Sequence, residues 1–151
     1  MHSHAAHHVA LSVGWAQVSL VIEDRNRRML RARDTMDRSF ARPLDIPAVA
    51  RVAHVSPAHF SRQFSATFGE TPHRYLQRRR VERAMELLRE TDSPVTEVCF
   101  DVGFNSLGTF SRTFRAVVGE SPSSYRRRFA GDGAKLRVPA CWAMAWTRPA
   151  G

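Results

Sequence analysis

The 151-residue sequence has only two cysteines, Cys99 and Cys141. They do not make a disulfide framework or a metal-ligand spacing. Acidic residues are in deficit: 14 Asp and Glu against 23 Lys and Arg leave a formal charge of +9. Lysine is almost missing, since Lys135 is the single one and the other 22 basic residues are Arg. No apolar run is long enough for a membrane span. Val9 to Ile22 comes nearest, and Ser12, Gly14, Gln17 and Ser19 interrupt it. No signal peptide is evident, so a cytoplasmic location is the simplest expectation. Spaced carboxylates, Cys–His pairs and metal clusters are also lacking, so neither an enzyme nor a bound cofactor or metal is expected.

What is abundant is arginine. Its planar fork suits phosphate and guanine edges. A basic balance alone still admits nucleic acid, anionic membrane or an acidic protein as partner. An internal repeat narrows the choice. His59 to Arg78, HFSRQFSATFGETPHRYLQR, aligns without a gap to Thr109 to Arg128, TFSRTFRAVVGESPSSYRRR, and ten of the 20 positions match. The matches include Phe60/Phe110, Arg62/Arg112, Phe64/Phe114, Gly69/Gly119, Pro72/Pro122 and Tyr75/Tyr125. A near-copy at this spacing implies two small related subdomains.

Taken in order, His2, His4, His7 and His8 read as a disordered start rather than a metal-binding tract. Val9 to Ile22 shows no clean period. Arg27 to Phe40 is the first helix expected, with Met29, Ala32, Met36 and Phe40 near one face. A second runs from an Asp45 cap to about Ala53. A third, Pro57 to Phe68, follows a Ser56 cap with proline in its first position. Its Phe60, Phe64 and Phe68 bury one side, while Arg62 lies about 200° away from Phe60. Ala58, Ser61 and Ser65 keep the accessible side small, a shape that a DNA major groove admits. Pro72 to Arg89 forms a long helix with Tyr75, Val81, Ala84, Met85 and Leu88 inward. Its basic remainder holds Arg74, Arg78, Arg79, Arg80 and Arg83. Val95 to Val102 is a short helix. After Gly103-Phe104, an Asn105 or Ser106 cap opens the copy of the third helix, and Ser123 to Phe129 closes the series. Trp142, Met144 and Trp146 in the tail are expected to fold back onto the helices rather than stack on RNA bases.

Leu44 to Arg89 and Val95 to Arg128, with their shared order of short helix, turn, F-S-R-x-F helix, G-E-[TS]-P and Tyr, closely resemble the AraC/XylS family of bacterial transcription regulators. The resemblance covers about Arg31 to Arg128. It implies an all-α fold of about seven helices: two three-helix-like subdomains, each with a helix-turn-helix, joined by a long central helix. The expected layout is an N-terminal extension at 1–26, a DNA-binding domain at 27–129 and a tail at 130–151. Within the domain the first helix-turn-helix falls at about 45–68, the linking helix at about 72–90 and the second helix-turn-helix at about 95–118.

The resemblance implies sequence-specific binding to double-stranded promoter DNA, often with activation through RNA polymerase. Base-contact positions carry over to Ala58, His59, Ser61, Arg62 and Ser65 in the first unit. In the second they are Ser106, Leu107, Gly108, Thr109, Ser111 and Arg112. Phosphate contacts are expected from Arg74, Arg78, Arg79, Arg115 and Arg126. Leu107 and Gly108 depart from the family's usual polar side chains, so the second unit is expected to read fewer bases. Leu107 can still meet a thymine methyl. Full regulators of the family carry a separate ligand-binding or dimerisation domain. The stretch before the first expected helix is too short for one, so no small-molecule effector is expected; the tandem units make an oligomer unnecessary for DNA binding, and a monomer is plausible. The rival reading is a protein-interaction or antiactivator module on the same scaffold.

Overall fold

The structure, a computed structural model, describes the backbone of residues 5–130 and the side chains of residues 14–130. The histidine-rich start, Cys141 and the tail tryptophans lie outside the described side chains. Among the described residues there are seven helices and no strand. They are α1 Ala5–Arg38, α2 Ile46–Val52, α3 Pro57–Phe68, α4 Pro72–Glu90, α5 Val95–Asp101, α6 Leu107–Val118 and α7 Pro122–Ala130. Two compact units result. Among the described residues, the first gathers α1, α2 and α3; the second takes the connector Ser39–Leu44 and residues 73–130. The fold is the all-α tandem helix-turn-helix architecture, with α4 as the covalent link between the two clusters.

In the first unit α1 is longer than the sequence reading has it, 34 residues beginning at Ala5 rather than Arg27. Trp15, Val18, Leu20, Val21 and Ile22 are all exposed there. That segment covers no core, so burial imposes no one-sided period on it. The C-terminal half of α1 does the packing. Met29, Ala32 and Met36 are buried with Val49, Ala50, Phe60 and Phe64. Arg33 is buried too, with its guanidinium 5.1 Å from the centre of the Phe68 ring. Asp45 caps α2 by accepting from the Ala48 amide at 3.0 Å. Each buried Phe contributes about 1.5–3 kcal/mol by leaving water.

The second unit is built on a core of Val81, Ala84, Met85, Leu88, Val98, Cys99, Val102, Phe104, Phe110, Phe114 and Tyr125. Its rings form a chain: Phe104 to Phe110 at 5.2 Å, Phe110 to Phe114 at 5.7 Å and Phe114 to Tyr125 at 5.6 Å, the last two edge-on. Arg80, grouped with the basic face in the sequence reading, is instead buried. Its Nε donates to the Phe40 carbonyl at 2.7 Å and its Nη2 to the Arg42 carbonyl at 2.8 Å. It thereby satisfies two backbone acceptors of a connector that Pro43 keeps out of any helix. Gly103 turns the chain between α5 and α6 with φ of 99°.

Candidate nucleic-acid interface

The repeat seen in the sequence becomes two helices of the same construction. α3 and α6 each span 12 residues, each after a serine N-cap and each before a left-handed glycine, Gly69 (φ 74°) and Gly119 (φ 92°). Ser56 Oγ accepts from the His59 amide at 3.3 Å, and Ser106 Oγ accepts from the Thr109 amide at 3.1 Å. Ser106, not Asn105, is therefore the cap of α6. Such a cap satisfies one of the four amides that an α-helix leaves open at its start. The undersides are equally alike. Phe60 and Phe64 in α3, and Phe110 and Phe114 in α6, are fully buried. Two rings four residues apart fix which face of each helix turns outward.

The outward faces carry the expected base-contact residues. Ala58, His59 and Arg62 are exposed on α3, with Ser61 and Ser65 half-buried beside them. At the start of α6, Ser106, Leu107, Gly108, Thr109 and Arg112 are exposed, with Ser111 half-buried. Nothing lies within 4 Å of where a Cβ on Gly108 would sit, so that side is open. Ser111, Arg112, Arg115 and Ala116 line a concavity of about 330 Å³ on the same helix. Its exposed lining is mainly apolar.

Neither α3 nor α6 carries an acidic residue. PAHFSRQFSATF holds one Arg and no acid; LGTFSRTFRAVV holds two Arg and no acid. The arginines of α4 are differently placed. Arg78 lies 3.5 Å from Glu82, Arg79 also pairs with Glu82, and Arg83 lies 2.7 Å from Glu86. Arg78 also stacks over Tyr75, at 5.2 Å. Salt bridges at such spacings are worth only a few tenths of a kcal/mol each, but they cancel field. Arg62 and Arg112, on the outward faces, have no acid on their own helix to pair with.

Of the expected phosphate contacts, Arg74 and Arg115 are exposed. Arg78 and Arg79 are half-buried in the pairs just described. Arg126 is engaged differently: its Nε and Nη2 donate to the carbonyls of Leu88 and Thr91, both at 3.3 Å. It closes the C-terminal end of α4, where helix carbonyls lack partners. The sequence reading missed two arrangements. Thr109 Oγ1 accepts from Ser106 Oγ at 3.0 Å and from Arg112 Nη2 at 3.5 Å, a serial contact along positions 106, 109 and 112. The i, i+3, i+6 spacing was its visible signal. The burial of Arg80 was written in the four-residue series Leu76, Arg80, Ala84, Leu88, all buried.

Three groups elsewhere in the second unit have shifted ionisation. Desolvation lowers the Arg80 pKa from its ordinary value. Burial raises the Cys99 thiol. Burial also raises the Tyr125 phenol, against the hydrogen bond and charge of Arg89. None touches the outward faces. Among the described residues no cluster of His, Cys, Asp or Glu has the makings of a metal site, and no helix is long and apolar enough to cross a membrane.

Comparison with known proteins gives a consistent outcome. A helix-turn-helix domain family model matches residues 49–128. An HTH-type transcriptional regulator of Mycobacterium tuberculosis is 42% identical over 85 residues, covering 56% of this chain and 33% of the relative. The regulatory protein SoxS of Salmonella typhimurium is 34% identical over 93 residues, covering 62% of this chain and 87% of SoxS. The chain thus spans about a third of the mycobacterial relative and most of SoxS. Among solved structures, the DNA-binding domain of AdpA, in complex with a target DNA, superposes with a TM-score of 0.64 at 28% identity. That match covers 68% of this chain and 93% of the AdpA domain.

Proposed function

The chain belongs to the AraC/XylS family of helix-turn-helix transcriptional regulators, and on that premise we propose that it binds promoter DNA sequence-specifically through α3 and α6. Each helix enters a major-groove segment with its aromatic underside on the core and its small, acid-free face on the bases. The observation that carries this reading is the matched pair of faces. Two helices of identical length and capping each present an arginine at the same place, Arg62 and Arg112, with no acid on the helix to neutralise it. Both arginines are exposed.

Arg62 and Arg112 are the base readers, with guanine O6 and N7 as their natural acceptors. His59, Ser61, Ser65, Ser106, Thr109 and Ser111 add shorter-range contacts, and Ala58 and Gly108 allow close approach. Leu107, 42% exposed, offers an apolar contact to a thymine methyl. Arg74, Arg78, Arg79 and Arg115 supply phosphate contacts that set orientation rather than sequence. Two reading helices in one chain make a bipartite contact without a dimer, so a monomer suffices. The protein acts in the cytoplasm as an activator that contacts RNA polymerase at the promoter, with no small molecule required for DNA binding itself.

Substitution tests the assignment. Arg62→Ala and Arg112→Ala should each lose about 1–3 kcal/mol of discrimination at a distinct base pair of the operator. Uniform weakening on every duplex, with preference retained, would move both residues to the phosphate class.

A further inference from the structure

A second cavity, of about 420 Å³, opens within the second unit and shares no lining residue with the concavity on α6. Its volume falls in the range of small-molecule sites. The walls are mixed: Leu44, Leu76, Phe100 and Phe104 are apolar, His73, Arg80 and Asn105 are polar, and the exposed lining is somewhat more polar than apolar. No Asp or Glu lines it.

Two features of this cavity are left over from folding. The first is Arg80. It is only 7% exposed, yet no carboxylate pairs with it among the described residues. Nε and Nη2 are held by the Phe40 and Arg42 carbonyls, and the guanidinium carbon lies 5.9 Å from the Phe104 ring centre. Among the described residues Nη1 has no hydrogen-bond acceptor, and it keeps contact with solvent. A buried cation with no counter-charge is costly, and its pKa is lowered accordingly. The second is Phe100. It is 54% exposed at the cavity, a large ring that packing leaves in water. An anionic head would neutralise the first, and an apolar body would cover the second.

We propose that this cavity binds a small organic carboxylate with an aromatic or compact aliphatic body, the carboxylate on Arg80 Nη1 and the body against Phe100, Leu76 and Leu44. An inorganic phosphate fits less well. It would surrender more hydration for the same guanidinium and has no apolar surface to bury. Besides α4, the walls come from the connector after α1 and from the turn that leads into the Ser106 cap of α6. A bound carboxylate therefore ties those two segments together, and it stabilises the folded state by mass action. The proposal does not depend on the DNA reading, and operator binding is measured separately.

The test is amide NMR of the whole chain titrated with sodium phenylacetate at constant ionic strength, with phenylacetamide and inorganic phosphate as controls. Phenylacetate should give saturable shifts confined to residues 41–44, 73–80 and 100–105, with a Kd on the order of 1 mM for a ligand of its size. Loss of the charge in phenylacetamide should weaken binding by roughly tenfold. Phe100→Ala leaves the core intact because the ring is exposed, and should weaken phenylacetate by about fivefold. Phe100→Glu sets a carboxylate at the rim and should abolish it. Shifts that never saturate, or that spread over the arginines of α7, would overturn the proposal. So would equal binding of phenylacetamide, or phosphate shifting the same amides as strongly.

Discussion

Arg89 Nη1 donates to the Tyr125 hydroxyl at 2.9 Å and so binds the last turn of α4 to α7. The ring is buried against Phe114 and Phe129, and Arg128 lies 5.4 Å from its centre. Tyr125→Phe keeps the ring and removes the acceptor, and should cost about 1 kcal/mol in chemical denaturation. The same residue sets a pH dependence. Its folded pKa is raised, so its contribution is full below the unfolded value near 10 and is lost as pH climbs through the folded value. Cys99 acts in the same direction from about pH 8.5 upward. Stability should therefore fall on the alkaline side, and Tyr125→Phe should flatten that fall from about pH 10 upward. An alkaline limb unchanged by the substitution would contradict the assignment.

Gly103 and Gly119 both have positive φ, 99° and 92°, but only one is crowded. A Cβ on Gly103 would meet the Ala41 carbonyl oxygen at 2.8 Å and Arg80 Nε at 2.9 Å, whereas nothing lies within 4 Å of one on Gly119. Gly119→Ala should cost about 1 kcal/mol, the backbone strain alone. Gly103→Ala should cost about 2–4 kcal/mol, because Arg80 must also leave the Phe40 carbonyl. Thermal denaturation of the two variants gives the comparison, and equal losses would show that the connector does not press on this turn.

Arg115 and Arg126 were expected to do the same work, and the structure gives them different surroundings. Arg126 donates to two main-chain carbonyls of the second unit, and Arg115 is exposed. Arg115→Ala should leave the melting temperature unchanged and reduce the slope of log K against log salt by about 1. Arg126→Ala should lower the melting temperature, at a cost of about 1–3 kcal/mol for the carbonyls it abandons. If both behaved as Arg115 is expected to, the closure of α4 by Arg126 would be of no consequence.

Phe60→Ala and Phe110→Ala should each destabilise by about 3–5 kcal/mol, since both rings are completely buried. Ser56→Ala and Ser106→Ala should cost about 1 kcal/mol each through loss of the cap. The contrast places stability in the undersides of α3 and α6 and leaves the outward faces for binding. A Phe110→Ala protein that melts at the wild-type temperature would refute that division.

Much of this was legible because local rules and packing agreed. Ser56-Pro57 and Gly69 mark both ends of α3, and Phe60 and Phe64 fix its rotation, so Arg62 had to point outward. The same signals recur at Ser106, Gly119, Phe110 and Phe114. The N-terminal half of α1 was not legible, because exposed Trp15, Val18 and Leu20 carry no imprint of a core. Arg80 was misplaced because composition assigns arginine to the surface. Its burial depends on the Phe40 and Arg42 carbonyls, about forty residues away in sequence. The link from Ser106 through Thr109 to Arg112 needed rotamers as well as spacing. The face of α6 was nevertheless the weaker half of the reading, and Leu107 and Gly108 remain its plainest departure from a polar reading surface.

Systematic selection of duplex DNA by the purified chain tests the central claim most directly. The account predicts two short elements whose centres lie about one helical turn, roughly 10 base pairs, apart. Arg62→Ala should relax one element and Arg112→Ala the other. Selection of a single element, or of none above the salt-dependent background, would contradict it.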